Sequence, residues 1–277
     1  MGHTSRKLTA CCIKQFVLLF LVLAPCLGTK HRKFIVLTIG HSGSKNLAKV
    51  LDKHPNVLMK GELLFDRKYK FDLDQAVKRV DEIFTKMLPQ MTSENTTAIG
   101  FKLLYHHIWP HPTEFFTELR KRHPDLAFIH LIRTNYFEHY LSFYSYLKSN
   151  DNPDNLHVLN HVSDTALRVS VMNLLIATHP GPSMTTLYED CVQSFDSQLQ
   201  RISLFLGVPF HSLDFGSTRK STHQAPWTRL KNWPKICAAI RNRQRLDQNF
   251  HSDCLARWSF SEWETDVSHH CLENASI

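Results

Sequence analysis

The stretch Lys33-Phe34-Ile35-Val36-Leu37-Thr38-Ile39-Gly40-His41-Ser42-Gly43-Ser44-Lys45-Asn46 decides the fold. Its first seven residues are nearly all apolar and rich in β-branched side chains. They lack the alternation of a strand with one wet face, so the run reads as a strand buried on both sides, as in a parallel sheet. Gly40 to Ser44 follows as a Gly/Ser turn. Lys45 to Lys53 then has helical spacing, with Leu47, Val50 and Leu51 on one face. A strand that turns into a helix in this way aims backbone N–H groups and the positive end of the helix dipole at one point, which suits an anion. Ser42 and Ser44 add hydroxyl donors. The loop is not a Walker A sequence, because G-x-x-x-x-G-K-[ST] has no match here.

Outward from this unit the pattern repeats. Asn56–Met59, Ala98–Tyr105, Leu126–Ile132 and Met184–Tyr188 read as strands. Asp72–Leu88, Pro112–Arg122, Tyr136–Lys148, Asp164–His179 and Ser194–Leu206 read as helices. In the first of these helices, Leu73, Val77, Val80, Ile83, Phe84 and Leu88 are the apolar face. Strands alternating with helices imply an α/β fold with a largely parallel central sheet flanked by helices. Ligands of such sheets bind beyond the carboxyl ends of the strands, at the switch point. Gly40–Lys45 and Arg133 both lie just after strands. Arg133 closes the strand His130-Leu131-Ile132, and Ser142 follows it on a helix; an Arg and a Ser together suit phosphate oxygens.

The chain has 277 residues and a net charge of +8. Length and an ordinary composition (43% hydrophobic, 21% charged) exclude wholesale disorder, collagen and coiled coil. The basic excess favours an anionic partner. Residues 1–28 read as a secretory signal or a short signal-anchor: Arg6, Lys7 and Lys14 precede the apolar run Phe16–Ala24, and Pro25-Cys26-Leu27-Gly28 closes it. That segment carries +3, which leaves +5 on residues 29–277, read as a single domain. Almost no stem separates the two, which favours cleavage over anchoring. Asn95-Thr96-Thr97 and Asn274-Ala275-Ser276 are glycosylation sequons. Cys191, Cys237, Cys254 and Cys271 make either two disulfides, with three possible connectivities, or four buried thiols. No C-x-x-C pair occurs, and no metal site is expected.

Taken together, His41-Ser42-Gly43-Ser44-Lys45 and Leu131-Ile132-Arg133-Thr134-Asn135 with Ser142 resemble the paired motifs of sulfotransferases that use 3′-phosphoadenosine-5′-phosphosulfate (PAPS). His54-Pro55-Asn56-Val57 with Gly61-Glu62-Leu63-Leu64-Phe65, Gly100-Phe101-Lys102-Leu103, and Tyr188-Glu189-Asp190 with Phe205-Leu206-Gly207-Val208-Pro209 extend the resemblance over residues 34–235. It is closest in style to the carbohydrate and nodulation-factor branches. Residues 236–277 form a cysteine-containing C-terminal region outside it.

The resemblance implies a P-loop-like nucleotide-binding fold and transfer of a sulfuryl group from PAPS to a hydroxyl. It implies that Ser42, Gly43, Ser44, Lys45 and Asn46 hold the 5′-phosphate and that Arg133 and Ser142 hold the 3′-phosphate. Lys220, with Arg219, would cover the nucleotide. The family's first-loop Arg or Lys is His41 here, so Lys45, Lys102 and His41 share the task of offsetting charge on the leaving group. The general base is Glu62, with His106 and His107 as rivals. The secretory reading places the protein in the Golgi lumen or outside the cell, with a glycan, glycolipid or secreted small molecule as acceptor. Nucleic acid is not an expected partner, and the membrane enters only through an N-terminal anchor. Two other classes remain. A kinase or NTPase lacks its Walker lysine, and a non-catalytic binder of acidic glycans would bind polyanions without transferring a group.

Overall fold

The computed structural model describes residues 32–62, 72–92, 95–147 and 155–214, together with position 238. Five parallel strands form one sheet in the order β2-β3-β1-β4-β5: β1 Arg32–Thr38, β2 Val57–Glu62, β3 Ala98–Leu104, β4 Ala127–Ile132 and β5 Ser183–Leu187. The helices are α1 Ser44–Asp52, α2 Leu73–Met87, α3 Pro112–Arg122, α4 Tyr136–Leu147, α5 Asn155–Ala177, α6 Tyr188–Gln193 and α7 Phe195–Leu206. Short 3-10 turns occupy Leu88–Thr92 and Tyr105–His107.

The buried strand predicted from its apolar run is the sheet's centre. Phe34 to Leu37 are fully buried, and their side chains alternate between two cores. Ile35 and Leu37 pack with α2, α3 and α5, whereas Phe34 and Val36 pack with α1, α7 and Cys191 of α6. The result is three layers, with helices on both faces. From β1 the chain runs outward to β2, returns through β3, then crosses to β4 on the other side. The direction changes between β1 and β4, so the crevice lies beyond the ends of those two strands.

Three local expectations are corrected. The helix read from Asp164 begins nine residues earlier, at Asn155. Val158, Val162, Thr165, Val169 and Met172 form its buried stripe, which the interspersed His and Asn residues conceal in the sequence. Leu88, expected on the buried face of α2, is exposed in the 3-10 turn, and Met87 is buried in its place. Tyr188 starts the short helix α6 rather than ending β5. Asp72 caps α2 as its position suggests, accepting the Gln75 N–H at 3.0 Å.

Two motif segments serve packing. His54 Nδ1 accepts the Asn56 N–H at 3.1 Å, so its Nε2 carries the proton donated to the Pro209 carbonyl at 2.9 Å. The His-Pro turn and the Leu206-Gly207-Val208-Pro209 segment are thereby tied together. Cys191 is a buried free thiol with Sγ 3.7 Å from Thr186 Oγ1, and burial raises its pKa. Cys191 therefore takes part in no disulfide. Cys237, Cys254 and Cys271, the Trp-rich end, the segment 1–28 and the Asn274 sequon lie outside the described residues. Among the described residues no helix is long and apolar enough to cross a membrane.

Among the described residues burial lowers the pKa of five histidines furthest: His107, His130, His161 and His179 to about 4, and His139 to about 3. Above about pH 6.5 both folded and unfolded forms are neutral and nothing is lost. Below it the unfolded chain takes up protons that the fold refuses, so stability falls until the folded pKa is reached. Each histidine contributes up to ~1.4 kcal/mol per pH unit. The melting temperature is expected to hold between about pH 8 and 7 and to fall steeply from about pH 6.5 to 5. Differential scanning fluorimetry across that range checks this, and a flat profile would count against neutral buried histidines.

Candidate active site

The β1–α1 loop turns through two left-handed residues, His41 at φ 62° and Gly43 at φ 80°. Alternating left-handed residues turn successive N–H groups toward one side, the geometry of an anion-binding nest. Gly43 is the N-cap of α1, and the Asn46 N–H returns to its carbonyl at 2.9 Å. The N–H groups of Ser44 and Lys45 precede any intrahelical acceptor. No acidic residue occupies the first turn of α1, so no carboxylate competes with a bound anion there. Lys45 is exposed, Asn46 half-buried and Ser44 buried.

The Ser42 hydroxyl is engaged within the fold. It is fully buried, 2.8 Å from the Ile39 carbonyl and 2.5 Å from Thr38 Oγ1, which itself donates to the Leu131 carbonyl at 2.8 Å. This hydroxyl pair ties the loop to the ends of β1 and β4. Ser42 is left with its backbone N–H to offer.

Arg133 follows β4 and reaches back beneath the loop. Its Nη1 donates to the His41 carbonyl at 3.4 Å, its Nη2 lies 3.6 Å from Glu138, and the guanidinium sits 4.8 Å from the Tyr188 ring centroid. Tyr188 also closes against Gly43, where a Cβ would fall inside the ring's van der Waals envelope. Glu189 accepts the Thr134 and Asn135 N–H groups at 3.2 and 3.1 Å, and Asn135 Oδ1 caps α4 through the Glu138 N–H at 2.8 Å. Tyr188, Glu189 and Asn135 thus shape the Arg133 turn. All three belong to the motifs, but nothing along the chain says that they meet around Arg133. Ser142 stands half-buried on α4, nine residues beyond Arg133.

A second cluster lies at the ends of β2 and β3. Ile99, Phe101 and Leu103 face the α2–α3 core, so Lys102 emerges on the opposite face, which carries α1. There Lys102 Nζ pairs with Glu62 Oε1 at 2.6 Å, and His107 Nε2 lies 3.9 Å from Glu62 Oε2. Lys102 is buried, whereas the Glu62 carboxylate is 41% exposed and open to an incoming group. Burial works to raise the Glu62 pKa, but the hydrogen bond and charge of Lys102, with His107 and His106, outweigh it and leave the carboxyl below its usual value. Glu62 is therefore ionised at neutral pH.

Its rivals fare less well. His107 Nδ1 accepts the Leu104 N–H at 3.3 Å, and burial with the neighbouring His106 lowers its pKa to about 4. It is a weak base whose second nitrogen is aimed at Glu62. His106 is exposed and stacks edgewise on His107 at 4.5 Å; partial desolvation lowers its pKa too. His41 is held below its ordinary value by desolvation, then by the charge of Arg133 and by His106. It is neutral at pH 7 and supplies no resident cation. Arg219 and Lys220 lie outside the described residues. Among those described, no group of three or more His, Cys, Asp or Glu is arranged to hold a metal.

No protein-family model and no curated protein matches the chain. Solved structures do. A sulfotransferase from Alicyclobacillus acidocaldarius is 14% identical, with 82% of this chain and 98% of that chain covered and a TM-score of 0.48. Mouse sulfotransferase SULT7A1 complexed with PAP is 14% identical over 65% of this chain and 61% of that one, with a TM-score of 0.41. The sulfotransferase domain from the curacin biosynthetic pathway is 16% identical over 65% and 75%, with a TM-score of 0.45. At this level of identity and similarity the functional reading rests on the site's own residues.

The contact between Gly43 and Tyr188 is open to mutation. Gly43→Ala adds a Cβ to a left-handed residue and drives it into the ring. It is expected to destabilise the fold by about 2–4 kcal/mol, combining overpacking and αL strain. Thermal or urea denaturation reads this, and the double variant with Tyr188→Ala should be less sensitive to the added methyl group.

Proposed function

We propose that the chain is a PAPS-dependent sulfotransferase. The observation that carries this is the meeting, at one sheet edge, of an anion nest backed by Arg133 with an ionised carboxylate held by a buried lysine. The nest suits the 5′-phosphosulfate, and Arg133 and Ser142 suit the 3′-phosphate. Arg219 and Lys220 would close over the nucleotide.

In the proposed reaction the acceptor oxygen attacks sulfur in line. The new S–O bond forms as the bond to the bridging phosphate oxygen breaks and 3′-phosphoadenosine-5′-phosphate (PAP) leaves. The acceptor's proton passes to Glu62. Positioning and preorganised charge supply most of the acceleration, as in phosphoryl transfer. Lys102 is drawn between Glu62 and the developing negative charge. Lys45 and the His41 N–H complete the leaving-group side.

The acceptor we propose is a carbohydrate, glycolipid or secreted small molecule. The targeting segment 1–28 and the sequons support a secretory setting, Golgi lumen or extracellular, with the segment cleaved. One observation favours a second reading. His41 is neutral where the resemblance implies a cation, which suits a binder of acidic glycans that performs no transfer.

Retention on immobilised PAP and transfer of labelled sulfate from PAPS to a panel of glycans, lipids and sterols separate the two. Arg133→Ala is expected to weaken PAP binding roughly 10- to 100-fold, the worth of a charge-assisted hydrogen bond. Glu62→Gln should keep PAP retention and lower kcat by about 10²- to 10⁴-fold. A chain that retains polyanions but never transfers label would be the binder.

PAP affinity is also expected to rise as pH falls from about 7.5 to 6. A bound polyanion favours protonated His41 and so lifts its pKa, and the protonated form then binds more tightly. Isothermal titration should show proton uptake on binding, and His41→Gln should reduce it.

A further inference from the structure

His41 is a non-glycine residue in left-handed backbone, which costs on the order of 1–2 kcal/mol and persists only when its surroundings hold it. Both flanking peptides are in fact held. Arg133 takes the His41 carbonyl, as described. The Gly40 carbonyl is taken by a different group: His139 of α4, 2% exposed, whose Nε2 lies 2.5 Å away. His139 Nδ1 is in turn 3.3 Å from Nε2 of His161 on α5. The two rings stack at 5.4 Å, and Phe143 stacks on His161 at 5.1 Å.

The hydrogen-bond roles follow from chemistry. A carbonyl only accepts, so His139 Nε2 carries the proton. His139 is neutral, so its Nδ1 is an acceptor and His161 donates from Nε2. Burial keeps both rings neutral. The order is therefore directional, from His161 through His139 to Gly40. In a trans peptide the C=O and the following N–H point in opposite directions. Drawing the Gly40 carbonyl toward α4 and α5 turns the His41 N–H the other way.

We infer that His161 and His139 are positioning residues, a two-step relay that locks one imidazole tautomer and thereby aims the His41 N–H into the nest. Neither residue touches the ligand. The inference rests on the reading of this loop as the nucleotide's phosphate site. It also explains why a histidine whose main chain is anchored on both sides can occupy a strained turn.

The experiment uses the full chain. Imidazole ¹⁵N NMR should show His139 as the neutral Nε2–H tautomer, and His161→Leu should convert it to a mixture. His161→Leu is expected to raise Kd for PAP and KM for PAPS roughly 5- to 10-fold, about the worth of one hydrogen bond, with kcat within about 2-fold. His161→Gln, which keeps an N–H donor, should restore both tautomer and affinity. An Nδ1–H or protonated His139 in the wild type would overturn the relay. So would equal losses in the Leu and Gln variants, or an unchanged affinity in the Leu variant of a chain that binds PAP. If the wild type binds no PAP, the nucleotide reading fails by itself. The tautomer, together with the His41 amide shift in the two variants, still decides the relay: a shift in Leu but not in Gln supports it, and the same shift in both removes it.

Discussion

Five residues between β1 and α1, Ile39 to Gly43, must reverse the chain while keeping the helix N-terminus at the sheet edge. Two of them, His41 and Gly43, do so in left-handed conformations. Much of the surrounding structure acts to hold that turn. The Thr38–Ser42–Leu131 hydroxyl bridge pins its base, Arg133 and His139 take its carbonyls, and Tyr188 fills the space that only a glycine leaves open. The strain is local, but the groups that compensate for it come from β4, α4, α5 and α6.

Around that turn the charges are arranged with little slack. Arg133 is held by a carbonyl, a carboxylate and an aromatic face. Glu62 is kept ionised by Lys102 although it is partly buried. Histidines supply donors near both clusters without adding charge, because desolvation keeps them neutral. The site thus gathers directed donors, the cations Arg133 and Lys102 and an ionised carboxylate, a set that suits the polyanion and the acceptor hydroxyl of the proposed reaction.

The fold was largely legible in the chain. A strand buried on both faces has to be mostly apolar, as β1 is over Phe34–Leu37 and β4 is apart from His130; the amphipathic faces of α1, α2 and α3 follow from helical spacing. What misled was local. In α5 the buried stripe is diluted by His157 and His161, which meet Tyr140 and His139, and by the exposed Asn160, so its first turns resembled a loop. Leu88 fits the period of α2, but the backbone tightens into a 3-10 turn there and rotates it outward. Of the site, Glu62 and Lys102 were singled out separately, but nothing along the chain says that they touch.

Sequence alone determined the order of elements, the Gly/Ser turn and the placement of Arg133 after a strand. Those are matters of local propensity and periodicity, read within a few residues. Tertiary structure decided which groups meet. Only the register of β2 against β3 brings Glu62 to Lys102, with a bulge between Lys60 and Glu62. Only the packing of α4 against α5 sets His161 on His139 and His139 on Gly40. Burial, in the end, kept His107, His130, His139 and His161 neutral, because the cost of desolvating an imidazolium depends on everything packed around it.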